Sequence, residues 1–412
     1  MKQSELFTKT LRQAPKDEET LNAQLLIRAG YVNKLMAGVY SYLPLGLRTL
    51  NKIAQIVREE MDAIGGQEIL MPALHPAEIW KKTGGWDKID VLFKIKSRTE
   101  KDYALGQSEE EVVTPLVLGY LDSYKDLPKA VYQVGWKYRD ELRSKSGLLR
   151  GREFFMKDMY SFHETQTDFD KFYTIVKQAY LKIFERVGLV AKVTEASGGS
   201  FSQKISYEFM VLTDAGEDNI LYCDACEFCV NVEIAKQQAG DTCPKCGKGQ
   251  LNAAKASEVG NVFDLSQKYG QDFDLGFKDK EGKKQFPIMG CYGLGISRLM
   301  GVLVEKFHDD KGILWPRSVS PFDFHLINIA RDSRVADELY IALQRENYSV
   351  LYDQRDDSAG QKFADADLIG IVVRILVSDK TLKEDAVEVK PRNSDSAQLI
   401  KTKELSKFLK NK

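Results

Sequence analysis

Residues 139–158 read RDELRSKSGLLRGREFFMKD. Arg139 opens the stretch and Glu141 follows two residues later; Arg150, Phe154 and Asp158 then recur every four residues beyond a loop with Ser146 and Gly147 near its tip. Two strand-like arms around a basic loop predict a hairpin. Such a hairpin can hold guanidinium groups over phosphates and offer an aromatic face to a flat base.

A second arginine-bearing element lies further on. Residues 287–298, PIMGCYGLGISR, read as a glycine-punctuated strand entering a helix at 299–306. Its glycines do not have the dinucleotide-binding spacing, and taken alone they only permit close helix–strand packing. Paired with the hairpin, Arg298 acquires a role: two guanidiniums and Phe154 make a clamp for a nucleoside triphosphate.

Between these elements fall five of the six cysteines. Such clustering in a cytoplasmic-type chain indicates metal rather than disulfides. Cys223-x2-Cys226 and Cys243-x2-Cys246 have four-thiolate zinc spacing, with Pro244, Gly247 and Gly249 suited to the knuckle turns. Four thiolates close the coordination shell, so the Zn²⁺ is expected to be structural. Cys229 is a fifth thiol able to stand in for Cys226, and Cys291 reads as a packing residue.

A chain of 412 residues has room for two or three domains. Its net charge of −1 excludes a globally basic nucleic-acid binder, so any such partner must be held by local patches. Residues 136–158 carry seven Lys/Arg against four Asp/Glu, and residues 401–412 carry five Lys against one Glu. The second patch is equally readable as a solvated helix end. The N-terminus has no apolar signal-like stretch, and no run approaches the ~20 apolar residues of a membrane span. The expectation is a cytoplasmic protein with no membrane association.

In chain order, residues 4–65 read as mostly helical, with Leu50, Ile53, Ile56, Val57 and Met61 on one face and Gly65-Gly66 as the stop. Residues 68–72 read as a strand ended by Pro72. This pair suits a dimer-forming unit as well as an ordinary helix–strand pair. Residues 91–118 alternate between strand and turn around the carboxylates Glu109, Glu110 and Glu111. These read either as a solvated helix N-terminus or as a carboxylate aimed at a substrate amine. A helix is predicted over 166–189 with Phe169, Phe172, Ile175, Val176 and Ile183 inward. Strands return over 190–222 through a turn at 198–200, and 256–277 reads as strand and turn. Trp315-Pro316 and Ser320-Pro321 mark a linker. Beyond it, strands at 324–329, 349–353 and 371–377 alternate with helices at 333–346 and 361–369, as in a small open α/β domain.

At this point the chain resembles class II aminoacyl-tRNA synthetases, and among them the bacterial-type prolyl-tRNA synthetases. The family's second motif, R-x-E, loop, R-x-x-x-F-x-x-x-D, is matched by Arg139, Glu141, Arg150, Phe154 and Asp158. The third is matched by Gly293, Gly295 and Arg298, and the first by the helix to Gly65-Gly66 with the strand to Pro72. SELFTKTL near the start, LPLGLR at 43–48 and FADADLIG at 363–370 are similar to the prolyl family. The resemblance implies an α+β fold. A class II catalytic domain, 1–316, has an antiparallel sheet flanked by helices and is interrupted by a zinc-ribbon-like insert at 222–255. An α/β anticodon-binding domain, 317–412, follows.

It also implies roles. Arg139 holds the ATP α-phosphate and the substrate carboxylate, Glu141 reads the adenine amino group, Phe154 and Arg298 sandwich the adenine, and Arg150 meets the γ-phosphate. Ser108 and Glu110 match the proline-binding T-x-E loop, with Glu110 pairing to the prolinium nitrogen and Tyr207 at the pocket. Arg143 meets the tRNA acceptor end; Asp353, Arg355, Lys362 and Asp367 are candidate anticodon contacts. Proline's carboxylate is already a nucleophile, so alignment and charge stabilisation by arginines and Mg²⁺ suffice. The implied reaction is ATP-dependent ligation of L-proline to the 3′ end of tRNA(Pro) by a homodimer.

The chain departs from the family in places. Serine replaces threonine at 108. Ser206-Tyr207-Glu208-Phe209 replaces S-H-E-F after four extra residues. Phe263–Gln267 replaces F-Q-L-G-T. The zinc-ribbon-like insert stands where many relatives carry an editing domain, so the resemblance implies no cis-editing and a separate trans-editing factor. The alternative from another class is a non-catalytic synthetase-like RNA-binding regulator.

Overall fold

The computed structural model describes every residue except 145, 200, 201, 203, 411 and 412. Ser200 of the turn at 198–200 and the last two residues of the basic tail therefore lie outside the described residues. Contacts group the chain into two compact units: Met36–Val39 with Ile53–Val302, and Met1–Leu35 with Tyr40–Lys52 and the residues from Leu303 onward.

The larger unit is built on a nine-stranded sheet. Its strands are β1 (Gln67–Glu68), β2 (Lys129–Tyr138), β3 (Glu153–His163), β4 (Lys192–Ala196), β5 (Ser206–Leu212), β6 (Asp218–Cys223), β7 (Cys229–Asn231), β8 (Leu251–Ser266) and β9 (Ile288–Gly295). Their order is β5-β4-β7-β6-β8-β9-β3-β2-β1. The sheet is antiparallel apart from β1 beside β2 and a single parallel pairing, Val230↔Glu195, between β7 and β4. The sixteen-residue β8 pairs with β6 along its first part and with β5 along its second. β5, β4, β7, β6 and β8 thereby close a ring of pairings. Gly216 lies at the crossing between β5 and β6, where a Cβ would fall 2.1 Å from the Ala256 carbonyl oxygen.

Two helices position the site. α1 (Glu110–Leu118) buries Val113, Val117 and Leu118 with Tyr160, Phe162 and Met289 of the sheet. α2 (Gln166–Val187) starts where Thr165 accepts from the Asp168 N–H at 3.2 Å and ends at Gly188, φ +92°. Its inward face is Phe169, Tyr173, Val176, Tyr180, Ile183, Phe184 and Val187. Each such side chain contributes about 1.5–3 kcal/mol when fully buried. Ile175, predicted inward, is 48% exposed. Tyr173 takes the inner position because its hydroxyl donates to Val262 O at 2.8 Å.

Other expectations are corrected. Residues 4–65 are helical only at Leu21–Arg28 and Pro44–Ala63, beyond a 3₁₀ turn at Gln3–Glu5. Between the helices lie strands Val32–Met36 and Val39–Tyr42, the second of which, VYSY, is rich in β-branched and aromatic residues. The strand expected at 68–72 pairs only at Gln67 and Glu68, because the Met71 N–H donates to the Gln133 side chain at 2.8 Å and Pro72 has no donor. A helix, Lys268–Phe273, follows β8 where strand and turn were read.

The smaller unit carries a five-stranded sheet: β10 (Phe324–Asn328), β11 (Val350–Asp353), β12 (Val373–Val377), β13 (Ala386–Pro391) and β14 (Gln398–Lys401), in the order β11-β10-β12-β13-β14. The first three strands are parallel, joined through α3 (Arg334–Arg345) and α4 (Ala359–Ile369); the last two are antiparallel additions beyond the sequence reading. The predicted linker is packed: Trp315 is 4% exposed and its indole N–H donates to the Tyr31 hydroxyl at 2.7 Å. Among the described residues no helix is long and apolar enough to cross a membrane.

Candidate active site

The hairpin forms as read. β2 and β3 pair from Lys129↔Phe162 to Tyr138↔Glu153, and the Arg139 N–H still donates to Arg152 O at 2.8 Å. The returning arm is held from outside as well, since the Arg152 N–H donates to Gly38 O at 2.8 Å. Gly38 has φ +75° and could carry no Cβ, which would lie 2.7 Å from that of Ser144. At the loop's end a 3₁₀ turn, Gly147–Leu149, buries both leucines. It also turns the Leu149 carbonyl toward Arg298, whose Nε donates to it at 2.8 Å. Arg298 stands in the first turn of the helix Ile296–Lys306, which begins directly after β9.

These elements enclose a cavity of about 220 Å³. Ser108, Arg139, Glu141, Arg150, Phe154, Gly293, Gly295 and Arg298 all line it, so most of the residues singled out from sequence converge. Cys291, Phe263 and Glu258 join them. The Arg139 guanidinium lies 5.1 Å from the centre of the Phe154 ring. Its Nε is buried without a hydrogen-bond partner among the described residues. Burial lowers the Arg139 pKa and the positive charge of Arg298 lowers it further. Two guanidiniums that repel each other in a confined cleft favour an anion between them. Arg150 is gripped by Glu141, at 2.8 and 2.9 Å, and by Glu217 at 2.7 Å. Glycine matters at 293, where a Cβ would sit 2.4 Å from Met156 Cε.

Deeper in, the three adjacent glutamates open α1 but are not solvated: Glu109 is 1%, Glu110 0% and Glu111 2% exposed. Each has a different environment. Glu110 accepts from the Cys291 thiol at 3.0 Å, and its Oε2 has no partner among the described residues. Burial raises its pKa. Glu111 accepts from Thr83 at 2.8 Å and is pushed up to about 8, by burial first and then by Glu110. Glu109 is the paired one. Its oxygens lie 3.1 Å from Lys137 Nζ and 3.0 Å from His75 Nε2. Lys137 also meets Asp158 at 3.0 Å. Burial alone would lower the Lys137 pKa, but Asp158 and Glu109 raise it above the ordinary value. The Tyr160 hydroxyl completes the network, donating to Asp158 at 3.0 Å and accepting from the Glu109 N–H at 2.9 Å.

Sequence reading missed Lys137, His75 and Tyr160. The available signal was a lysine between Trp136 and Tyr138 in an otherwise apolar strand. Three singled-out residues are absent from the cavity lining: Glu110, which reaches it only through the lining residue Cys291, Tyr207 and Arg143. Tyr207 packs on β5 against Tyr173, with the Lys177 ammonium 4.1 Å from its ring centre. Arg143 is exposed on the hairpin loop beside Leu142, itself 97% exposed. In the smaller unit Asp353 is fully buried and held by Arg355 at 2.8 Å, and Lys362 is buried and donates to Asn328 O at 2.7 Å. Arg355 and Asp367 keep partial exposure.

The ligand atoms of Cys223, Cys226, Cys243 and Cys246 all lie within 4.8 Å of one another. Backbone N–H groups of Ala225 and Gly249 point at the sulfurs of Cys223 and Cys246 at 3.3 and 3.4 Å, and a Cβ on Gly249 would fall 2.5 Å from Cys223 Sγ. Cys229 is elsewhere, buried with Met210, Ile220 and Ala256, its sulfur 3.1 Å from the Thr194 hydroxyl.

Comparison with known proteins gives the class first. Residues 93–307 match the tRNA synthetase class II core domain (G, H, P, S and T), and residues 323–412 match an anticodon binding domain. A Proline--tRNA ligase from Thermosipho africanus is 35% identical, covering 96% of this chain and 97% of its own. One from Bacillus cytotoxicus is 33% identical, covering 99% of each. The chain belongs to the proline–tRNA ligase family. A solved prolyl-tRNA synthetase from Cryptosporidium parvum superimposes with a TM-score of 0.77 at 17% identity, over 95% of this chain and 77% of that one, which supports the fold. The first of these alignments runs over 547 positions against 412 residues here, so at least 135 of them are gaps in this chain (547 − 412).

Proposed function

We propose that this chain activates L-proline with ATP and transfers it to the 3′ end of tRNA(Pro). The observation that carries the reading is the convergence of Arg139 and Arg298 on one cavity lined also by Ser108 and by Cys291, whose thiol donates to Glu110. Phe154 and Arg298 flank the adenine and Glu141 reads its amino group. Arg139 bridges the α-phosphate and the proline carboxylate, Arg150 takes the γ-phosphate, and Gly293 and Gly295 leave room for the nucleotide. Glu110 pairs with the prolinium nitrogen beside Ser108, while Tyr207, packed against Tyr173, stands outside the cavity lining. A carboxylate oxygen of proline attacks the α-phosphorus and diphosphate leaves. The terminal 3′-hydroxyl of tRNA, guided by Arg143, then attacks the prolyl carbonyl and AMP leaves.

Mg²⁺, when bound with the triphosphate, would offset its negative charge. Glu217, Asp218 and Glu258 offer the oxygen ligands this hard cation takes, beside Arg150 and Arg298. The four clustered cysteines suit a structural Zn²⁺ by donor set and spacing. Arg355 and Asp367 contact the anticodon, with Asp353 holding Arg355 from beneath and Lys362 anchoring α4. A homodimer, with Leu70, 84% exposed beside β1, at its interface, and a cytoplasmic setting fit the same reading.

The domains are a class II catalytic domain through residue 316 and an anticodon-binding domain from 317. The chain does not edit in cis. A pocket shaped for proline rejects alanine only weakly, so a separate factor clears Ala-tRNA(Pro). The test is exchange of labelled diphosphate into ATP with each of the twenty amino acids. Proline-dependent exchange is the expected result. Exchange with another amino acid alone, or none as the regulator reading requires, would overturn the proposal.

A further inference from the structure

A second cavity, of about 590 Å³, lies wholly within the smaller unit. Four segments build it: residues 10–12, Arg28 of the first helix, the turn at Lys311, and α4. The N-terminal segment is tied to α4 by Thr10, whose hydroxyl donates to Asp365 at 2.7 Å, and to the first helix by the Leu11 N–H, which donates to Arg28 O at 2.8 Å. The turn at 309–312 is fixed by the bidentate Arg392–Asp309 pair, at 2.7 and 2.8 Å. Gly312 fits against α4 so closely that a Cβ would lie 2.4 Å from Leu368 Cα.

This arrangement brings Arg12, Arg28 and Lys311 to one cavity, and none of their side chains has an ion-pair partner among the described residues. The Arg28 Nε is buried with no hydrogen-bond partner there. The two carboxylates on the wall are engaged: Asp365 by Arg355 at 2.8 Å, with Thr10 and Gln361, and Asp367 by Arg374 at 3.5 Å. The cavity therefore carries an excess of positive charge, and the first turn of α4 opens onto it through Gly360 and Gln361.

We propose that this cavity seats a backbone phosphate of tRNA. The proposal rests on the ligase reading and adds a contact supplied by the N-terminal segment to the anticodon-binding unit. Phosphate contacts fix register without reading sequence, which suits three cations with no base-sized aromatic partner among them.

The test uses Arg12→Gln, Lys311→Gln and the double variant, both positions being exposed. Proline-dependent diphosphate exchange should stay at the wild-type level, while KM for tRNA rises severalfold in each single variant and further in the double. The slope of log KM against log salt should fall by about 0.7–0.9 per charge removed. An unchanged tRNA KM and salt slope in the double variant would overturn the proposal. So would competition by inorganic phosphate that disappears in the double variant while tRNA KM stays put, because that assigns the cavity to a small free anion. Absence of exchange in the wild-type chain would instead defeat the ligase reading itself.

Discussion

Replacing Lys137 by methionine tests whether the buried network around Glu109 is what presents the proline-binding carboxylate. The lysine is 0% exposed and stands between Glu109 and Asp158, each 1% exposed, at 3.1 and 3.0 Å. Methionine keeps most of the volume and removes the charge. Two carboxylates are then buried with no ion-pair partner but His75 among the described residues, Asp158 keeping only its hydrogen bonds from Tyr160 and Gln133. Removing one member of a buried ion pair costs about 3–5 kcal/mol, which is a large share of the stability of an ordinary domain. The cost is pH-dependent. Burial already raises the Asp158 pKa in the intact network, and loss of Lys137 raises it further. A carboxyl with a raised folded-state pKa contributes its stability below the unfolded value and loses it as pH rises through the folded value. The variant should therefore come closest to the wild type in mildly acidic solution and fall away toward pH 8. Urea unfolding at several pH values measures this. Activity should follow the same lines. Tyr160 holds the Glu109 N–H, so its displacement moves Glu110, and an error of about 1 Å in such a group costs on the order of a hundredfold. That loss should appear in the proline KM and kcat during diphosphate exchange, with the ATP KM little changed. Adding Glu109→Gln and Asp158→Asn to Lys137→Met should recover much of the stability. A single variant with the wild-type urea midpoint at pH 8 and an unaltered proline KM would refute the reasoning.

Two further outcomes follow from the same geometry. Glu110→Gln should raise the proline KM at least about thirtyfold, the equivalent of about 2 kcal/mol for a truncated buried charge pair, and leave the ATP KM alone. Because burial raises the Glu110 pKa, the wild-type proline KM should begin to rise on acidification at a higher pH than an ordinary carboxylate would give; exchange kinetics across the pH range read this directly. Cys243→Ser should abolish stoichiometric zinc by elemental analysis and lower the melting temperature, whereas Cys229→Ser should keep the metal. Equal zinc loss in both variants would defeat the four-thiolate assignment.

What was legible in the chain was whatever local chemistry announces. The hairpin at 139–158 has its turn residues at the tip and its arms in alternation, and the cysteine pairs have fixed spacing, so both could be placed without a fold. The parallel core of the smaller unit followed from strands alternating with helices. The helix at Glu110–Leu118 was legible only as a helix N-terminus at the three glutamates, because its V-V-T-P segment has strand-like propensity that packing of Val113 and Val117 against the sheet overrides. Lys137 was missed for a similar reason. Its partners are 28 residues upstream and 21 downstream, and no local pattern reports a charge whose counter-charges arrive from other elements. Lys362 and Asp353 look like recognition residues in sequence, and only burial reveals their packing contacts.

The pairing of Cys223 with Leu251 at the open end of β6 and β8 has a consequence for how such a chain can change length. Antiparallel neighbours lie about 5 Å apart, so Cys223 and Leu251 stand side by side although the chain between them runs through β7 and the remaining cysteines. Whatever is spliced there need only begin and end together, and each doubling of its length adds only about 0.6 kcal/mol of closure entropy if it is flexible. A short four-cysteine segment and a longer folded module can thus start and end at the same port, leaving in place the strand that carries Glu258 and the helix that carries Arg298. The adjoining ends of β6 and β8 work as a socket in the architecture, where chain can be added or removed while the cavity of Arg139 and Arg298 stays intact.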